Sequence, residues 1–287
     1  MHLKRNSFID KGLKSLSQVI KTGYIQWELA SKEGLFQKLD ARIKTLAGIF
    51  FIIIVSLKKE IMPEATIAVF IFLLCLAARI DLTEFYRRVL IFGFIFGFLV
   101  AAPSALNLIS KGEIILPLIK LPRPYDFWIY HIPTEIGITR EGSYGVVLLT
   151  LRVMNSIAIS LFVLHTTYFQ DIIKALKALR VPDVFLMIIT LSYKYIFIFA
   201  KTVEDMHLAK KSRLLGELNN AEGRRWITGR IAFIFRKTQL KCDEIFKAML
   251  GRGFTTEVRL PGFKKMSSLD WAAGIASFSV GILFLWI

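Results

Sequence analysis

Long apolar runs separated by short basic stretches organise this chain of 287 residues. From Phe8 to Trp27, the apolar residues Ile9, Leu13, Leu16, Ile20, Tyr24 and Trp27 recur at steps of three and four, with Lys11, Lys14, Gln18 and Lys21 on the other side. That spacing predicts an amphipathic helix, suited either to a membrane surface or to packing on the rest of the protein. A first apolar span follows from 41 to about Leu57, with Asp40 as its N-cap. Lys58, Lys59 and Pro63 mark a turn before a second span, about Glu64 to Ala78. Arg79, Asp81, Arg87 and Arg88 bracket a polar turn, and a Phe- and Gly-rich third span runs from Val89 to about Leu108. The first two are short against the roughly 20 residues that cross a bilayer, so they are expected to extend into their flanks.

The pattern changes at 107–142. Pro117, Pro122, Pro124 and Pro133 forbid a long helix, and Tyr125, Trp128 and Tyr130 suit a membrane interface. Short β-like pieces, Glu113–Leu116 and Phe127–His131, predict an ordered outer loop with a hairpin. A fourth span runs from about Ser143 to His165 and contains Arg152 and Asn155. An arginine inside a span either serves function or pairs with a neighbouring helix. Thr167-Tyr168-Phe169-Gln170 fits a capping box for a short surface helix that Val181-Pro182 stops.

Residues 184–200 are apolar enough to cross a membrane, yet charge parity argues against it. With the N-terminus in the cytoplasm, a fifth crossing would put Lys210, Lys211, Arg213, Arg224, Arg225, Arg230, Arg236 and Lys237 outside. The expectation is a helix lying within or beneath the bilayer, with Lys194 on its polar edge, broken by Gly216, Asn219, Asn220 and Gly223. A second helix, about Arg225 to Leu250, carries the stripe Ile227, Ile231, Ile234, Thr238, Cys242, Ile245 and Met249 and is closed by Gly251 and Gly253. The last span is Leu269 to Ile287, opened by Ser267 or Asp270. The chain therefore reads as an all-α, polytopic helical membrane protein with about five transmembrane helices. Its expected parts are an N-terminal helix (1–40), spans one to four with the outer loop (41–166), cytoplasmic coupling helices (167–265) and a C-terminal span (266–287).

Composition sharpens this. Hydrophobic residues make up 54% of the chain and the net charge is +16. The basic residues flank apolar spans, which fits cytoplasm-facing loops and not a nucleic-acid surface. Cys75 and Cys242 form no CxxC pair, and His2, His131, His165 and His207 stand at no ligand spacing, so neither a metal nor a cofactor is expected. The N-terminus lacks a signal-peptide core. No G-x-x-x-x-G-K-[ST] loop occurs, so ATP binding by that device is not expected.

The two basic helices each end in an arginine, at Ser212-Arg213-Leu214 and at Gly251-Arg252-Gly253. Singly, each arginine is explained by the helix dipole, and each glycine by a C-cap. Two such ends in one basic insertion could present two rigid donor forks to two copies of an acidic groove.

Several stretches now align with a known family. Leu35-Phe36-Gln37-Lys38-Leu39-Asp40-Ala41-Arg42-Ile43-Lys44, Thr139-Arg140-Glu141-Gly142 with Arg152, and Thr166-Thr167 to Leu179-Arg180-Val181-Pro182 come first. Ala209-Lys210-Lys211-Ser212-Arg213 and Ala248-Met249-Leu250-Gly251-Arg252-Gly253-Phe254 follow in the same order. Together they resemble the transmembrane T component of energy-coupling-factor transporters, in the cobalt/nickel CbiQ-type branch. The resemblance implies a non-catalytic subunit of an ATP-driven importer in the plasma (inner) membrane. It implies two cytoplasmic ATP-binding subunits held through Arg213 and Arg252, and a small membrane subunit that captures the ion. Lipid is the remaining partner. Two departures stand out: Ser212-Arg213-Leu214 replaces the common Ala-Arg-Gly, and Lys194 stands where an arginine is common. Arg152 and Lys194 are candidates for a structural role or for contact with the substrate subunit. The rival is a polytopic membrane enzyme using Arg152, Arg140 and His165 near one membrane face. A secondary transporter would show two related halves, which this sequence lacks.

Overall fold

The computed structural model describes residues 36–37, 39–107, 112–120, 125–127, 130–132, 135–213, 220–254 and 266–286. The expected Phe8–Trp27 helix and Leu214 fall outside them. In chain order the helices are α1 (Ala41–Leu57), α2 (Ile61–Ala77), α3 (Leu82–Phe92), α4 (Arg140–Thr166), α5 (Phe169–Ala175), α6 (Asp183–Arg213), α7 (Asn220–Gly251) and α8 (Ser268–Trp286). A π-helical stretch, Gly93–Leu99, and a 3-10 turn, Ala102–Ala105, continue α3. The strands are β1 (Ile114–Lys120), β2 (Tyr125–Phe127), β3 (Tyr130–Ile132) and β4 (Glu135–Thr139). The chain divides into two compact units, one of Leu29–Ile172 with Lys265–Ile287, the other of Ile173–Lys264.

In the first unit α4 is the central element. It packs against α1, α2, α3 and the π stretch, while α8 packs on α1. Phe51, Ile54, Val55, Ile67, Ile71, Cys75, Phe85, Val89, Ala158, Ile159 and Phe284 make its core. The Phe- and Gly-rich span has two faces for a steric reason. A Cβ on Gly97 would stand 3.0 Å from the Thr150 Cα, tighter than ordinary contact, so glycine lets the π stretch lie close against α4. Phe94, Phe96 and Phe98 on the same stretch are exposed, as lipid-facing side chains are.

Several boundaries differ from the sequence reading. The second span starts at Ile61, with Pro63 tolerated in its first turn. The third helix begins at Leu82 and not at Val89, so Arg87 and Arg88 lie inside it. Arg88 reaches Glu84 one turn back at 3.7 Å, which lets a charged pair ride on the helix surface. The turn sits at 78–81, where Arg79 takes a left-handed φ of 54°. The capping box at Thr167 does not form. Tyr168 supplies the first carbonyl of α5, accepting from Asp171 N and Ile172 N, and the buried Thr167 Oγ1 has no partner among the described residues.

In the loop before α4, β1 pairs antiparallel with β4, with register shifts flanking Leu116 and Pro117, and β2 pairs with β3. The piece expected as Phe127–His131 is thus not one strand: Phe127 ends β2, and Tyr130 and His131 belong to β3. In the second unit α6 is one continuous helix from Asp183 to Arg213, and α7 starts at Asn220, so Gly223 is an interior helical residue and not a breaker. Among the described residues, three helical segments are long and apolar enough to cross a membrane by length and composition: Arg140–Thr166, Asp183–Lys210 and Ser268–Trp286. Ile61–Ala77 is a shorter apolar helix. The protein is an all-α polytopic membrane protein, and among the described residues its β ribbons lie in the loop before α4.

Candidate functional site

The end of α7 is built by a named local motif. Gly253 takes φ +78°, a conformation that favours glycine. Its N–H donates to Leu250 O at 2.9 Å, and Phe254 N donates to Met249 O at 3.0 Å. These are the 5→2 and 6→1 bonds of a Schellman cap. Arg252 occupies the cap position between Gly251 and Gly253, and all three are exposed. Two helix carbonyls are satisfied by backbone N–H groups, so the guanidinium is not needed there. It sits at the negative end of the helix dipole with its donor fork in the open.

Arg213 is the last residue of α6 and is also exposed. Ser212 turns its Oγ back on Ala209 O at 3.0 Å, so the hydroxyl serves its own helix and leaves Arg213 as the projecting group. Leu214, the third residue of this motif, lies outside the described residues. Lys194 is exposed midway along α6.

Arg152 has a different environment. Its Nε lies 3.6 Å from Oε1 of Glu64, whose side chain has no exposed surface. Its Nη2 donates to the Lys58 carbonyl. Asn155, one turn further along α4, donates from Nδ2 to Glu64 Oε2 at 2.8 Å and to Glu64 O at 2.9 Å. Arg152 and Asn155 therefore clamp the first turn of α2 and the end of α1 onto α4. The paired, structural reading of this arginine is the one the geometry supports. The i, i+3 spacing of the two polar residues was visible in the sequence; the acid they meet, 88 positions earlier in the chain for Arg152, was not.

A polar clasp missed by sequence reasoning ties three helix ends together. Asp40 caps α1, accepting from Arg42 N at 2.8 Å. Asp270 Oδ1 accepts from Asp40 N at 2.9 Å, and its Oδ2 accepts from Ser267 N at 2.9 Å. Lys44 Nζ donates to Thr166 O at 2.7 Å. Hence the start of α1, the end of α4 and the start of α8 meet at one end of the bundle. The signal that could have found part of it is Ser267-x-x-Asp270, half a capping box.

The Arg152, Arg140 and His165 site required by the enzyme reading is not assembled. Arg140 opens α4 and His165 closes it, about 37 Å apart along the axis at 1.5 Å per residue. His165 is buried edge-on to the Phe85 ring at 5.9 Å. Among the described residues no three His, Cys, Asp or Glu side chains are grouped to hold a metal ion.

The family described as CbiQ, cobalt transport protein, matches residues 33–261. An uncharacterized protein of Methanocaldococcus jannaschii is 26% identical over 254 residues, covering 88% of this chain and 83% of that protein. A second uncharacterized protein of the same organism is 25% identical over 151 residues, covering 53% of this chain and 56% of its own length.

Proposed function

Since this chain belongs to the CbiQ family of cobalt transport proteins, we propose that it is the membrane coupling subunit of an ATP-driven importer for a transition-metal ion, cobalt or nickel. In this reading Arg213 and Arg252 each engage one of two cytoplasmic ATP-binding subunits. Movement of those subunits passes through α6 and α7 to a small membrane subunit that captures the ion. The chain itself performs no catalysis and sits in the plasma membrane.

The observation that carries the reading is the clasp. The segment between Thr166 and Ser267 leaves and re-enters the bundle at the same end, where Lys44 holds Thr166 and Asp270 holds Asp40. An odd number of crossings inside that segment is thereby disfavoured. If α6 crossed fully, another helix before α8 would have to return, and α7 is not apolar enough to do so. The segment's basic residues then belong on the cytoplasmic side. Two exposed arginines at dipole-negative helix ends are suited to acidic grooves on soluble partners.

The test is affinity purification of the full chain from native membranes. The reading predicts recovery of two ATP-binding proteins and one small membrane protein, with metal uptake by the reconstituted assembly only when ATP is supplied. Metal uptake by the chain alone would reject it.

A further inference from the structure

We infer that Trp226 is a positioning residue that fixes the arginine-bearing end of α6 against the start of α7. The inference rests on the coupling role proposed above for Arg213. Lys210 lies three residues before Arg213, on the last turn of α6. Its Nζ is buried, has no hydrogen-bond partner among the described residues, and sits 3.9 Å from the centre of the Trp226 ring. An ammonium removed from water normally finds acceptors. Here the π face of an indole, the strongest aromatic cation acceptor, occupies that place.

The geometry makes Trp226 a link between elements. Lys210 belongs to α6 and Trp226 to α7, so the contact joins the two helices. Arg230, one turn along α7, also approaches the ring, 5.7 Å from its centre, and lies 5.8 Å from the Phe233 ring. That second cation is on the same helix as Trp226 and holds the indole in place without joining α6. A turn of helix separates this contact from the arginine that meets the partner. Whatever sets the angle between α6 and α7 therefore sets where Arg213 stands relative to the helix carrying Arg252.

Pulsed electron-spin resonance on the full chain in lipid nanodiscs measures this without any partner. Spin labels go on Leu208→Cys and Phe246→Cys, both exposed positions, in a Cys242→Ser background; Cys75 is buried. The parent and the Trp226→Phe and Lys210→Arg variants are expected to share one narrow distance. Trp226→Leu, which keeps apolar bulk but has no π face, and Lys210→Met, which keeps the stem but no charge, are each expected to reduce the weight of that distance about tenfold or more against other arrangements. Arg230→Ala is expected to leave the distribution close to the parent's. Two variants on opposite helices keep the test decisive if one of them does not fold. An unchanged distribution in both Trp226→Leu and Lys210→Met overturns the inference and leaves the coupling reading standing. A broadened distribution with metal uptake of the reconstituted complex intact keeps the contact and overturns the role given to Arg213.

Discussion

Glu64 and Arg152 form an ion pair at 3.6 Å between α2 and α4, and the glutamate side chain is wholly buried. A buried charge is tolerated only when paired, and removing one partner leaves the other stranded. Arg152→Leu is therefore expected to destabilise the bundle by roughly 3–5 kcal/mol. The double variant with Glu64→Gln is expected to lose less than the sum of the two single changes, because a neutral amide can still meet Asn155. Thermal unfolding in detergent reads both. Strict additivity would mean that the pair contributes nothing of its own.

Asp270 accepts two backbone N–H groups, one opening α8 and one at the cap of α1. Asp270→Ala strands both donors in a partly buried place. The expected cost is about 1–3 kcal/mol for each donor left unpaired. Hydrogen exchange should show Asp40 and Ser267 amides losing protection while amides in the middle of α4 keep theirs. Unaltered protection at Asp40 would break the clasp as described.

Gly253 and Gly251 make opposite predictions two positions apart. Gly253→Ala forces a Cβ into a left-handed conformation at a cost of about 1–2 kcal/mol, and should fray the cap that presents Arg252. A Cβ at Gly251 meets nothing within 4 Å, and the residue is helical. Gly251→Ala is therefore expected to hold or slightly strengthen the helix, by at most about 1 kcal/mol. Circular dichroism and metal uptake on both variants check this: equal loss in the two would contradict the cap assignment.

Gly97 lets the π stretch approach Thr150 on α4. Gly97→Val should separate the two elements and lower the yield of folded protein, whereas Phe96→Leu on the exposed face should be nearly neutral. Size-exclusion profiles of the two variants distinguish them.

The features legible in the sequence are those set by local chemistry. Asp40 was readable as a cap because a carboxylate before an apolar run has one common use. The end of α7 was readable because Gly253 follows a long helical pattern. Features set by distant parts of the chain were not. Arg152 and Asn155 stand three residues apart on α4, but nothing in the sequence says that Glu64 meets them there. Arg87 and Arg88 suggested a turn because charge inside a span is costly; the Arg88–Glu84 pair lets the helix continue through them. Thr167 had the letters of a capping box, yet the chain at the end of α4 leaves its hydroxyl without a donor, and Tyr168 takes over the carbonyl role. Gly223 looked like a breaker, but a helix of 32 residues absorbs one glycine at roughly 1 kcal/mol.

The central claim is that the exposed arginines Arg213 and Arg252 transmit force from cytoplasmic partners. It is tested most directly by the double variant Arg213→Ala/Arg252→Ala, reconstituted with the proteins that co-purify with the parent. The account predicts a folded, membrane-inserted chain that loses the ATP-binding partners and with them ATP-dependent metal uptake, since truncating an interface arginine costs about 2–5 kcal/mol. Partner recovery and uptake equal to the parent's would contradict it.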